Sequence, residues 1–355
     1  MNSQTDSDGT FRQRIAFTIF CGIGATASLF ILWEVRIVLL LLFAGLLAAL
    51  ALSTAASWVE SRLKLRRSLS LSCVIAAAIA CLGVGLWTRG NKIAEQVSQL
   101  QVDLPAAMQQ IAQQLRSHLW GQWLLDHWLD RIHLWATVDY ALPRMAPALA
   151  GTATLAVGLV LVAMISIYVA AEPDGYLQML RLVVPDAYLP RFEACFDAVV
   201  HMLRYWLIAK FLSMLCIGAI VYLGLLFIGV PLAGTLGLIA ALLTFIPNVG
   251  PFLSVVPAAA LAFAVRPSMG VLTLALYATA HFLEGNIITP MLERRIVRMP
   301  PALTLVVQAV LAVLTGSLGV VMAAPLTAAA LGIAQALRTE RNSDKARAGV
   351  TGQRE

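Results

Sequence analysis

The chain reads as an all-α polytopic membrane protein with about eight membrane segments, two of them broken, re-entrant helical hairpins. Three observations carry that reading. Of the 355 residues, 60% are hydrophobic and only 12% are charged, and the mean hydropathy is strongly positive, a balance foreign to water-soluble domains. Apolar runs of about 20 residues recur, each long enough for a helix to cross a hydrocarbon core near 30 Å. Two later runs are interrupted by proline, glycine and asparagine. In lipid such a break survives only where protein or a wet cavity satisfies the freed backbone groups.

Taken in order, the expected spans are 15–33, 37–59, 68–87, 146–171 and 206–228, followed by a broken pair at 232–246 and 252–265. A span at 268–289 and a second broken pair at 301–315 and 320–337 complete the set. The run from Ile15 to Trp33 follows Arg12 and Arg14 but is longer than a signal sequence. A second run starts at Ile37, so an uncleaved hairpin is expected. These spans divide the chain into N-terminal helices (1–87), an extracytoplasmic helical loop (88–145), one span (146–171), a cytoplasmic amphipathic segment (172–205), a core with the two hairpins (206–337) and a basic tail (338–355).

The 88–145 loop carries apolar residues at helical spacing (Ile93, Val97, Leu100, Leu104, Met108, Ile111, Leu115, Leu119) and four tryptophans: Trp120, Trp123, Trp128 and Trp135. Three readings are open: an arm on the membrane surface, a contact between subunits, or a helical pair packed on its own protomer. In the 172–205 segment, Tyr188, Phe192, Phe196, Val199 and Leu203 share one helix face. This stretch is expected to lie along the inner membrane surface and feed the span beginning near Trp206.

Basic residues set the orientation. Arg62, Lys64, Arg66 and Arg67 fill one loop, Arg294, Arg295 and Arg298 another, and Arg338, Arg341, Lys345, Arg347 and Arg354 the tail. The positive-inside rule puts all three in the cytoplasm, with both termini inside. The net charge of +6 is thereby accounted for without nucleic acid as a partner. The five cysteines (Cys21, Cys73, Cys81, Cys195, Cys216) are scattered, without a CxxC pair, and read as small hydrophobes.

The first hairpin breaks at Pro247, Gly250 and Pro251, where the prolines stop two half-helices and the glycine permits a tight reversal. The second breaks at Gly316 to Gly319, with Pro325 beyond; Pro290 closes the intervening span. A span followed by a broken hairpin thus occurs twice, over 206–265 and 268–337, an arrangement expected of inverted repeats around a midplane site.

His281 and Glu284 sit three apart and share a helix face, with Gly285 and Asn286 following. A carboxylate in a membrane segment is costly unless paired or hydrated, so Glu284 is a candidate contact for a solute or coupling ion. The bland alternative has it facing interfacial water or pairing with Arg294 or Arg295. Asn248, close to Thr244, either binds a polar ligand or caps a freed helix end. No HExxH, GxSxG or phosphate-loop signature is present, and His281 with Glu284 supplies too few ligands for zinc. No enzyme activity, cofactor or metal is expected.

The runs Phe245-Ile-Pro-Asn-Val-Gly-Pro-Phe252, Glu284-Gly-Asn-Ile-Ile-Thr-Pro290, Val297-Arg-Met-Pro300 and Gly316-Ser-Leu-Gly-Val-Val-Met-Ala-Ala-Pro325 resemble the AI-2E (autoinducer-2 exporter) family of bacterial inner-membrane transporters. The resemblance covers most of the chain. It implies export of autoinducer-2-like signalling molecules, sodium (lithium)/proton antiport in some members, and oligomeric assembly. The chain departs from the family at Asn248, where an aromatic is common, at Ala209-Lys210, where a Gly-Gln pair is common, and at Met299, where a histidine is usual. The reading is a secondary carrier in the lipid bilayer, a homo-oligomer that moves a small polar solute between its hairpins and draws on H+ or Na+. Glu284, Asn286, Asn248, Thr244 and His281 line its path, and the glycines let the hairpins flex. The alternatives are a Na+(Li+)/H+ antiporter and a non-transporting membrane scaffold or regulatory protein.

Overall fold

A computed structural model describes residues 5–116, 152–292 and 300–351, and every regular element among them is helical. Helix α1 runs unbroken from Thr5 to Leu63, a rod of about 88 Å at 1.5 Å per residue. The expected hairpin between 33 and 37 is therefore corrected to one continuous helix. Glu34 and Arg36 interrupt the hydropathy there, but no proline or glycine interrupts the backbone. Arg36 instead stacks on Trp33, 4.0 Å from the ring centroid, and its Nε donates to the Leu314 carbonyl at 2.8 Å.

Helix α2 (Arg67–Arg116) likewise continues straight through the boundary expected at 87. Toward its end Leu104 and Ala107 are buried, with Leu100 and Met108 beside them, in a core shared with later helices of the same chain. Over this stretch the arm packs on its own protomer. Trp120, Trp123, Trp128 and Trp135 lie outside the described residues.

Helix α3 (Thr152–Ala171) ends where Pro173 starts α4 (Pro173–Val183), and the two axes meet at 90°. Helix α5 then spans Leu189–Ile228 in 40 residues. The amphipathic stretch from Tyr188 is the first half of this rod, not a separate surface helix, because Arg204-Tyr-Trp-Leu-Ile-Ala offers no breaker. At about 60 Å, α5 is twice as long as a hydrocarbon core is thick. Its buried residues, Met202, Leu203, Trp206, Ala209, Ser213, Ile217, Val221 and Leu225, recur every three or four positions apart from the adjacent Met202 and Leu203, a single stripe facing inward.

The interrupted run folds as expected into two short helices, α6 (Ala233–Leu243) and α7 (Val249–Val265), of about 17 and 26 Å, each short of a full crossing. Helix α8 (Pro267–Leu283) passes through a π-helical turn, Glu284–Ile288, into the short α9 (Thr289–Leu292). The second broken pair is α10 (Pro301–Thr315) and α11 (Ser317–Thr351), parted at Gly316 with φ +69°. Arg294 and Arg295 lie outside the described residues. Among the described residues four helical stretches are long and apolar enough to cross a membrane, Thr26–Leu63, Asp186–Ile228, Pro267–Met291 and Ser317–Arg341, with the bent pair Ala156–Ala171 and Pro173–Val183 a fifth if it counts as one span. The second pair therefore joins one short helix to one of spanning length, whereas both arms of the first are short.

Helix α5 is the hub, packed against α6, α8, α11 and α1. Toward its C-terminal end Ile217, Val221 and Leu225 meet Leu236, Ala258, Leu261, Ala262 and Tyr277. Around its middle Met202, Trp206 and Ala209 meet Leu47 of α1 and Ala324 and Ala328 of α11. The two hairpins are tied where the first one breaks: the Gln308 side chain of α10, 3% exposed, donates from Nε2 to the Pro247 carbonyl at 2.9 Å.

This geometry sets two expectations for thermal unfolding in detergent. A Cβ at Gly250 would collide with the backbone carbonyl of Leu243, while at Gly285 nothing lies within 4 Å. Gly250→Ala should thus destabilise by about 1–3 kcal/mol, and Gly285→Ala should be neutral or stabilising by roughly 0.5 kcal/mol; equal midpoints would refute the close approach. Gln308→Leu strips the Pro247 carbonyl of its partner and should cost about 1–3 kcal/mol, read as a lowered midpoint.

Candidate functional site

Between Leu243 and Val249 the backbone leaves the helical path. The N–H of Ile246 bonds to Leu243 O at 2.9 Å and that of Val249 to Pro247 O at 2.7 Å, turn-like contacts that replace the helical ladder. Asn248 occupies the position before α7 with φ 63° and ψ −46°, and its side chain makes no cap hydrogen bond. Of the two roles open to it, the cap is thus not the one it plays. A positive φ is tolerated by asparagine better than by most residues.

The break opens a crevice of about 430 Å3, lined from α5 by Trp206, Ala209, Lys210 and Ser213, and from the broken hairpin by Thr244, Pro247, Asn248 and Pro251. The opposing wall comes from His281, Glu284, Gly285 and Thr289, with Pro301 and Thr304 of α10 and Ala324 of α11 completing it. Trp206 and Phe245 close one side edge to face, 5.6 Å between centroids. The volume falls in the range typical of small-molecule pockets, roughly 300–1,000 Å3.

Glu284 organises the polar wall. Its Oε1 accepts from Ser213 Oγ at 2.9 Å and lies 3.8 Å from Lys210 Nζ, while its Oε2 meets His281 Nδ1 at 3.1 Å. The three ionisable side chains are 12% (Glu284), 15% (Lys210) and 19% (His281) exposed, so the carboxylate has its partners where water is scarce. Glu284 opens the π-helical turn, whose extra residue shifts the helix face at this point; such bulges recur at functional sites.

Of the sequence-derived candidates, Thr244, Asn248, His281, Glu284, Pro247 and Pro251 converge on the crevice. Asn286 does not: it is exposed, and its Nδ2 donates to the Phe282 carbonyl at 3.0 Å. Gly250 sits behind the crevice against Leu243, while Pro290, Gly316, Gly319 and Pro325 shape the helices without lining it. Arg294 and Arg295, the proposed charge partners, lie outside the described residues; within them, the cation beside Glu284 is Lys210. Sequence reasoning did not place Lys210, Ser213, Trp206 or Thr304 here. The signal was present, because Lys210 is the one charged residue between Arg204 and Arg266, and Glu284 the one between Arg266 and Glu293. Two lone charges of opposite sign in apolar runs are expected to meet.

Among the described residues no cluster of three or more His, Cys, Asp or Glu could hold a metal ion. What the arrangement offers is a polar patch bearing both signs of charge in an otherwise apolar cleft, suited to binding a small hydrogen-bonding solute.

Comparison with known proteins agrees. Over 280 residues, 75% of either chain, the sequence is 23% identical to "Putative transport protein YueF" of Bacillus subtilis (strain 168). It is 27% identical over 146 residues, 41% of either chain, to "Putative transport protein YrrI" of the same organism. The model of the AI-2E family transporter matches residues 18–339. A multi-pass membrane protein built on interrupted helices, the chain belongs to the AI-2E family of transporters.

Proposed function

We propose that this membrane transporter is a secondary carrier that exports a small polar solute, an autoinducer-2-like signalling molecule or a related metabolite, through the crevice at the α6–α7 break. The observation that carries the reading is the Glu284, Lys210, Ser213 and His281 cluster on the wall of that crevice. Buried ionisable groups inside membrane segments are retained where a pathway needs them. Both half-helices end at the crevice, where Asn248 and the backbone around Pro247 face the solute. Movement of the hairpins relative to α1 and α3, which pack on each other, supplies alternating exposure. The protein works as a homo-oligomer in the bacterial inner membrane.

A Na+(Li+)/H+ antiporter is the second reading, supported by the carboxylate and imidazole in direct contact at 3.1 Å. The neutral solute-binding surface of Thr244, Asn248 and Thr304 beside them favours the carrier.

Comparison of metabolites inside and outside cells with and without the protein identifies the exported solute. Glu284→Gln should then reduce its flux from cells or inverted vesicles by at least about tenfold, the equivalent of one charge-assisted contact, with the protein still folded by size exclusion; undiminished flux would remove Glu284 from the path. Lys210→Met should act in the same direction, and flux of added sodium or lithium in place of solute would decide for the antiporter.

A further inference from the structure

Helices α3 and α4 meet at 90° across Glu172. In a membrane protein such a bend is either one crossing broken midway or a complete crossing followed by a helix lying on the surface. Length and charge decide between them. Thr152–Ala171 has 20 residues and no charged side chain, about 30 Å of helix, which crosses hydrocarbon unaided. The charges begin at the bend, with Glu172, Asp174 and Arg181, and a broken crossing would carry them to a depth where charge is costly.

The bend also lies at a level that other helices mark. Ala170 of α3 shares a buried cluster with Ala49 and Ala56 of α1 and Leu71 of α2, so α3 ends beside the α1–α2 turn. There Arg62, Lys64, Arg66 and Arg67 are all exposed, and the Arg62 guanidinium lies over the Trp58 ring, 5.9 Å from its centroid. Between Arg36 and Glu60 α1 carries no charge. A tryptophan and a run of bases at the end of such a stretch mark a membrane surface. Helix α4 starts at that surface and leaves at a right angle to a crossing helix.

The side chains of α4 divide to match. Tyr176, Met179, Leu180 and Val183 recur every three or four positions as one apolar stripe, and Asp174, Gln178 and Arg181 occupy the other side. No residue of α4 is buried; Met179 is 66% and Val183 82% exposed, so the described chain leaves the stripe uncovered. On the polar side Arg181 Nη2 meets Glu193 Oε1 of α5 at 2.9 Å. Arg181 stands roughly 150° around the helix from the middle of the stripe, so this ion pair turns the stripe away from α5. The exposed apolar residues of α3, among them Val160, Met164 and Tyr168, continue from the crossing to the stripe.

We propose that α4 lies in the headgroup layer of the membrane, with Tyr176, Met179, Leu180 and Val183 resting on phospholipid acyl chains and the Arg181 side turned toward water and α5. The right angle to α3, the level of the bend and the unbroken apolar surface favour phospholipid as the occupant over a second copy of the chain. The proposal goes beyond the carrier reading and does not depend on it. It gives the hub helix a footing. Through Arg181 and Glu193 the start of α5 is tied to an element that the bilayer holds at one depth, and α5 is tied on to α11 by Arg191 and Glu340 at 2.6 Å.

Photolabelling of the unaltered full chain in phospholipid vesicles tests the assignment, with one diazirine probe dissolved in the acyl layer and another confined to water. The acyl-layer probe should modify Met179, Leu180 and Val183 within about threefold of Val160 and Met164, and the aqueous probe should modify Asp174 and Gln178. Modification of the stripe by the aqueous probe alone would place α4 in solution, and modification by neither probe would place protein over it; either result overturns the proposal. Met179→Glu combined with Val183→Glu makes the stripe costly to keep on acyl chains. It should lower acyl-layer labelling of Leu180 at least about tenfold, with Val160 and Met164 unchanged as the sign of an intact crossing. Undiminished labelling of Leu180 overturns the proposal too. Should the variant lose labelling on α3 as well, its fold is lost, and the two probes on the unaltered chain decide the matter.

Discussion

Polar groups removed from water must be matched inside the protein, and that constraint governs this molecule. A helix broken inside a membrane exposes carbonyls and N–H groups that lipid cannot satisfy. Here the Pro247 carbonyl takes a hydrogen bond from Gln308 of the other broken pair, and the Leu314 carbonyl takes one from Arg36 of α1. Each break is therefore held by an element remote in sequence. The break of the first pair is tied to the second pair, and the second is tied in turn to the first helix. The same demand acts on side chains, where Glu284 gathers Ser213, Lys210 and His281 around one carboxylate.

Helix class, the broken segment at 243–252 and the need of Glu284 for polar partners were legible in the sequence because each rests on local chemistry: apolar runs of spanning length, prolines that cannot continue a helix, a lone acid among hydrophobes. The lengths of the rods were not. Hydropathy falls at Glu34–Arg36 and again across Arg204, so a reading by apolar run divides α1 and α5, yet the backbone needs a breaker to stop and finds none. At the site, His281 and Glu284 could be paired from their spacing, whereas Ser213 and Lys210 reach the same carboxylate from a helix some 70 positions away. Lys210 could have been matched to it as the lone opposite charge in an apolar run, but Ser213 carried no such mark, because packing alone brings it there.

The long helices also explain why the crevice lies where it does. Helix α5 runs past the break with small and polar residues, Ala209 and Ser213, facing it, and bulkier Ile217, Val221 and Leu225 beyond. The stripe changes from roomy to tightly filled along one continuous face. A cavity is left at one level and a buried core at the next, so the cleft is bounded on one side by the apolar cluster around Ile217, Val221 and Leu225.

Asn248 ties shape to selectivity. Its backbone sits at φ 63°, a torsion that asparagine tolerates better than most residues, while its position beside Pro247 on the cleft wall exposes its side chain to the cavity. Replacement at this point is filtered first by torsional tolerance and only then by chemical fit. A substitution at this point would therefore reshape the bend and change the chemistry of the cleft wall together.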